Sequence, residues 1–102
     1  MLWRGAVVQG GCTYIMTNRP NGILYIGVTA YLAQRVDQNR TGKGSAFCRR
    51  YGVNMLVMAK PHELIVDAIA REKALKAWKR DWKARLIEEA NPDWRDLFDR
   101  IA

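Results

Sequence analysis

Five side chains of this 102-residue chain have the types and the spacing to act on one substrate together. Tyr14 and Tyr25 lie eleven positions apart on two β-like runs, Arg35 follows in the next helical stretch, Glu72 falls on a later apolar helical face, and Asn91 closes that helix. Singly, each has a plain reading. Tyrosines in strands are usually packing residues. An arginine on a short helix is usually solvated, and asparagine before proline is usually a turn. Glu72 is harder to dismiss. It comes seven residues after Ile65, four after Ala68 and three after Ile69, inside an apolar stripe. An unpaired carboxylate there is costly, so it calls for an arginine, a hydrogen-bond donor or a metal ion. Jointly the five fit cleavage of a phosphodiester. Glu72 could hold one Mg²⁺ (or Mn²⁺), a hard cation that takes oxygen ligands and keeps several waters. Such an ion polarises a phosphate oxygen and stabilises the leaving group. Arg35 offers a forked, permanently charged contact to the phosphate. A tyrosine oxygen could position or deprotonate water, but with an ordinary pKa of about 10 it needs help from the metal or nearby cations.

The elements that must position these groups can be read from periodicity and turn chemistry. Gly11 to Thr17 and Ile23 to Thr29 are rich in β-branched and aromatic residues, with Asn18, Arg19, Pro20, Asn21 and Gly22 between them as turn formers. Pairing Thr17 with Gly22 across a four-residue loop sets Tyr14 opposite Tyr25, on one face. A one-residue slip would separate them. Leu32, Arg35, Val36 and Asn39 predict a short amphipathic helix, broken by the glycines of TGKGS. AFCRRYG reads as a brief helix ending at Gly52, and VNMLVMAK as a third strand ended by Pro61. From His62 to Ala90 the pattern is helical, with a bend or break expected near Arg80 to Lys83. Asn91-Pro92 stops it, and DWRDLFDRI is a last short amphipathic piece.

Size and composition restrict the setting. The length fits a single domain spanning residues 1–102, with 49% hydrophobic and 26% charged residues as in ordinary globular proteins. A net charge of +7 on so short a chain points to a polyanionic partner, most often nucleic acid. Cys12 and Cys48 form no CxxC and no Cys/His cluster, so they read as reduced, packed thiols rather than a zinc site. MLWRGAVVQG is too short for a signal-peptide core or a membrane span, which predicts a cytoplasmic protein with a slightly loose start.

Thr13-Tyr14-Ile15, Tyr25-Ile26-Gly27, Arg35, Glu72 and Asn91 together resemble the GIY-YIG nuclease domain, over about residues 11–97. LYIGVT, AREKALKAWKR and NPDWRDL are similar to segments of its small stand-alone bacterial members. The resemblance implies an α/β (α+β) fold, a small three-stranded antiparallel sheet flanked by helices. It also implies a divalent-metal-dependent endonuclease acting on DNA. It assigns Glu72 to the metal, Arg35 to the phosphate, Tyr25 to the nucleophilic water, Tyr14 to support of that site and Asn91 to its organisation. Gly27 would keep the strand thin beside the tyrosines. Two positions depart from the pattern. Thr13 replaces the usual opening glycine, and Asn39 stands where the family usually carries histidine or tyrosine. Asparagine hydrogen-bonds but does not relay a proton near neutral pH. His62, the only histidine, reads as a surface or helix-start residue rather than a replacement.

The DNA-facing surface should carry Arg19, Arg40, Lys43, Arg49 and Arg50, with Lys76 and Lys79 above Glu72 on the same helical side. Lys73, Arg80 and Lys83 extend that set. Trp78, Trp82 and Trp94 read as core rather than as base-stacking platforms. So small a module suits structure-selective cutting of branched, flapped or single-stranded DNA, in repair, recombination or mobile-element defence. The alternative is a catalytically weak or inactive nucleic-acid-binding module. A protein partner or a homodimer would use exposed apolar surface around Trp94, Leu97 and Phe98.

Overall fold

A computed structural model describes residues 10–101; the expected loose start falls on residues 1–9, outside the described part. Strands β1 (Gly11–Thr17), β2 (Leu24–Thr29) and β3 (Met55–His62) form an antiparallel sheet in the order β2-β1-β3. Every residue of β1 is buried, because the central strand has a helical layer on each face. On one face Cys12, Tyr14 and Met16 pack with Leu32 and Val36 of α1 (Leu32–Arg40), Cys48 of α2 (Ala46–Tyr51) and Ile101 of α5 (Phe98–Ile101). On the other, Ile15, Ile26 and Val57 pack with Leu75 of α3 (Ile65–Ala77) and Ile87 of α4 (Arg80–Ala90), and with Trp94. The expected α+β architecture is therefore present. Among the described residues no helix is long and apolar enough to cross a membrane.

Several boundaries differ from the expectation. Thr17 pairs with Leu24, not Gly22, and Tyr14 pairs with Gly27 while Tyr25 pairs with Met16. The hairpin loop is six residues, Asn18 to Ile23, with Asn18 Oδ1 accepting from Ile23 N at 2.8 Å and Asn21 at φ 59°. The shift is two residues, so it preserves the face and the tyrosines still project together. Strand β3 continues through Pro61 to His62, which proline tolerates because β3 is an edge strand. His62 thus ends a strand rather than starting a helix. The long helix breaks at Trp78 and Lys79, both extended, slightly before the expected place. The short helix AFCRRY does end at Gly52, in the left-handed region at φ 64°.

The register of β3 on β1 slips at Val57, which has no partner between Met58–Ile15 and Leu56–Met16. This bulge leaves the Val57 carbonyl to Asn91, whose Nδ2 donates to it at 3.1 Å and to Arg95 O at 2.9 Å, while its Oδ1 accepts from Arg95 N at 2.9 Å. Asp96 and Leu97 then bond Leu56 from outside, so the chain's last turns cover the β3 edge. Asn91→Ala should cost about 1–3 kcal/mol by orphaning buried backbone groups. Urea denaturation checks this, with Asn91→Asp expected to cost at least as much, because it sets a carboxylate oxygen against the Val57 and Arg95 carbonyls to which Nδ2 now donates.

Candidate active site

The sheet face under α1 brings four of the singled-out residues together. Tyr14 and Tyr25 project from neighbouring strands with ring centroids 6.4 Å apart and planes tilted by 46°. Tyr14 is wholly buried, and its ring crosses the backbone of Gly27 so closely that a Cβ there would lie under 3.0 Å from the hydroxyl and ring carbons. The close backbone approach expected of Gly27 is thus a slot for the Tyr14 ring. The Tyr14 hydroxyl is buried with no hydrogen-bond partner, an arrangement that ordinarily costs about 1–3 kcal/mol. Burial pushes its phenol from 10.0 up to about 12, the neighbouring Tyr25 adds to the rise, and Arg35 and Asn39 offset part of it. Arg35 and Asn39 therefore lie close to the hydroxyl, although neither meets it in hydrogen-bonding geometry. Burial thus favours the protonated phenol, which can donate a hydrogen bond.

Helix α1 places Arg35 and Asn39 one turn apart, on opposite terms with solvent. Arg35 is exposed, whereas Asn39 is 2% exposed. The Asn39 amide is engaged on both sides: Oδ1 accepts from Ser45 N at 2.9 Å, and Nδ2 reaches Met16 Sδ at 3.6 Å. It ties down the loop between α1 and α2, and Gly44 leaves room for it.

Glu72 stands apart from this group. It lies on α3, in the layer across the sheet, with its side chain 14% exposed and Oε2 2.7 Å from Lys76 Nζ. Thr13 helps fix that helix. Its hydroxyl donates to the Ala68 carbonyl at 2.9 Å, one turn before Glu72, and lies 3.4 Å from His62 Nε2. Helix α3 packs across β1 and reaches β2, the strand that carries Tyr25. With Oε2 on Lys76, Glu72 would have Oε1 to offer a metal ion. A single carboxylate suits Mg²⁺ or Mn²⁺, completed by water and substrate phosphate. Among the described residues no three His, Cys, Asp or Glu converge, so the donor set is not that of an all-protein cage.

The remaining candidates divide. Arg19, Lys43, Arg49 and Arg50 are exposed as expected. Arg40 is exposed too, with its guanidinium paired with Asp96 at 3.1 Å and 4.1 Å from the Phe98 ring centroid. Lys76 is half exposed but paired with Glu72. Lys79 does not share the Glu72 face: it caps α4, beyond the helix break, with Nζ 6.0 Å from the Trp82 ring centroid. Arg80, also read as a DNA contact, instead clamps the hairpin loop through Asn21 O and Gly22 O at 2.9 and 2.6 Å. Asn91 is saturated by backbone, so its contribution is to the placement of β3 and α4. Trp94 is core, but Trp82 is 50% exposed, contrary to expectation. Trp94 is buried, and Leu97 and Phe98 pack against the core, so the surface invoked for a partner is not an open one. Two residues escaped the sequence reading. Phe47 and Tyr51 continue the aromatic row from Tyr25, and their i, i+4 spacing beside two arginines was the available signal.

The domain family described as GIY-YIG catalytic domain matches residues 10–85, which include Tyr14, Tyr25, Arg35, Asn39 and Glu72. Two UPF0213 proteins of Pseudomonas aeruginosa, from strains UCBPP-PA14 and PAO1, are each 34% identical over 67 residues, covering 66% of this chain and 64% of the relative. The chain therefore spans a little under two thirds of the length of these relatives. No solved structure matches it.

Proposed function

The chain belongs to the GIY-YIG catalytic domain family, a nuclease family, and we propose from that premise that it is a divalent-metal-dependent DNA endonuclease working as one domain. The observation that carries the reading is the buried, unpartnered Tyr14 hydroxyl next to Tyr25 and Arg35. A polar atom kept there without a partner, beside a fixed positive charge, suits an anionic substrate better than it suits packing.

In this reading Arg35 binds the scissile phosphate through its guanidinium fork. Tyr25 orients the attacking water, and Tyr14, kept neutral, supports Tyr25 and the incoming oxygen by donation. Water adds to phosphorus, the bond to the leaving sugar oxygen breaks, and a phosphomonoester and a hydroxyl result. Glu72 is the residue that would hold Mg²⁺ or Mn²⁺. When bound, the cation polarises a phosphate oxygen and stabilises the leaving oxygen. Lys43, Arg49 and Arg50 supply phosphate contacts that carry no sequence information, which favours selection by DNA structure. A second reading, a nucleic-acid-binding module with weak or lost catalysis, is favoured by Asn39: the position near Tyr14 is occupied by an amide that does not titrate and is already bonded.

The test is cleavage of labelled duplex, single-stranded, flapped and four-way-junction DNA, in Mg²⁺, Mn²⁺ or EDTA, by wild type and Arg35→Ala. Metal-dependent cutting reduced about a hundredfold or more by Arg35→Ala is the expected result. Binding with no cutting under any metal supports the second reading. Equal cutting of plain duplex and branched DNA removes the structure-selective part.

A further inference from the structure

The row of rings that starts at the buried tyrosine does not stop at the site. Tyr14 meets Tyr25, Tyr25 stacks on Phe47 at 5.8 Å and 28°, and Phe47 meets Tyr51 at 4.8 Å and 51°. The outer two are Phe47 and Tyr51, one turn apart on α2, and they are 41% and 42% exposed. Helix α2 is anchored by Cys48, so these rings are not its core contact. Its other side chains are Ala46, Arg49 and Arg50, all exposed, with the Arg50 guanidinium 5.4 Å from the Tyr51 ring centroid. Lys43 is exposed on the loop leading into the helix.

Half-open rings cost solvent contact that an ordinary surface helix avoids, and these are bordered by positive charge and continuous with Tyr25. Alternation of ring faces and cations is the chemistry that grips single-stranded nucleic acid: bases stack on the rings and phosphates meet the cations. Inside a duplex each base has both faces covered by its neighbours, so a ring can stack only on a base that is unpaired or splayed out. We propose that Phe47 and Tyr51 form a stacking platform for an unpaired nucleotide beside the scissile phosphate, with Lys43, Arg49 and Arg50 holding its backbone. This rests on the nuclease reading for the location of the scissile phosphate, and it narrows the substrate class to DNA with a single-stranded segment reaching the cut.

The experiment measures binding in EDTA, where nothing is cut. Fluorescence anisotropy compares labelled oligo-dT, a flapped duplex and a blunt duplex, on wild type, Tyr51→Leu and Phe47→Leu/Tyr51→Leu. A second arm places 2-aminopurine in the single strand and reads its quenching by wild-type protein alone, which needs no variant to fold. Expected are quenching on binding, and a loss of about tenfold or more in affinity for oligo-dT and flap in the double variant, with blunt-duplex affinity within about twofold of wild type. Tyr51→Leu should show part of the loss. Absence of quenching, or an equal loss on all three DNAs, overturns the platform. The outcomes separate from those of the nuclease reading. A protein that cuts flaps with both rings removed and its affinities unchanged sinks only the platform. One that quenches 2-aminopurine but never cuts sinks only the nuclease.

Discussion

Glu72→Gln is expected to lower single-turnover cleavage of the preferred DNA by at least about a thousandfold in Mg²⁺, roughly 4 kcal/mol of barrier, and to leave DNA binding in EDTA within about twofold. The substitution keeps the size and one acceptor oxygen of the side chain. It removes the charge that a divalent cation needs and that Lys76 now neutralises at 2.7 Å. Glu72 is 14% exposed and lies one turn from the Thr13–Ala68 hydrogen bond that ties α3 to β1. Lys76→Ala is the informative companion. If Lys76 competes with the cation for the carboxylate, its removal should lower the Mg²⁺ concentration needed for half-maximal cutting. Cleavage by Glu72→Gln within about tenfold of wild type would take the metal role away from this residue.

Gly27→Ala is expected to cost about 3 kcal/mol or more and to reduce cleavage by about two orders of magnitude, although it adds one methyl group. That methyl would sit under 3.0 Å from the Tyr14 hydroxyl and ring carbons. The ring has nowhere to withdraw, since Tyr14 is fully buried among Cys12, Met16, Val36 and Leu56. Either the ring shifts, moving the hydroxyl away from Arg35, or β2 separates from β1. Thermal melting in the presence and absence of Tyr14→Phe distinguishes this from a loss of glycine flexibility. Because one of the clashing atoms is the hydroxyl oxygen, Gly27→Ala and Tyr14→Phe should be non-additive, with the double variant recovering part of the loss. Strict additivity would show that the slot is not what Gly27 provides.

Both results concern residues that the sequence picks out, and the reason is local. Alternation along CTYIM and LYIGV sets which side chains share a face, and a register error of two leaves that parity intact. The error itself came from a loop whose shape depends on Arg80, a residue of α4 that bonds Asn21 and Gly22 from the far end of the sequence. The break at Trp78 and Lys79 was misplaced because three-four spacing runs on across it. The ion pair of Arg40 was hidden for a similar reason: its partners, Asp96 and Phe98, are more than fifty positions away. Asn39 is legible as a departure from a familiar pattern but not as the residue that fastens Ser45, since that contact needs the loop to be folded. The position of Glu72 across the sheet from the tyrosines was likewise beyond periodicity, which gives a helix its face but not its layer.

On the proposed nuclease reading, the placement of Tyr14 and Tyr25 on the α1 side of the sheet and of Glu72 on α3 has a consequence for when cutting could begin. A ribosome that has released only the hairpin and the first two helices has made both tyrosines and Arg35, but no carboxylate for the cation. That carboxylate belongs to α3, whose Leu75 packs with Ile15, Ile26 and Val57, and with Ile87 and Trp94 from later in the chain. Under that reading, cutting would require the folded domain rather than its first half. It should vanish together with the tertiary structure in denaturant, at one midpoint, which makes enzymatic activity a faithful thermometer of folding for this chain.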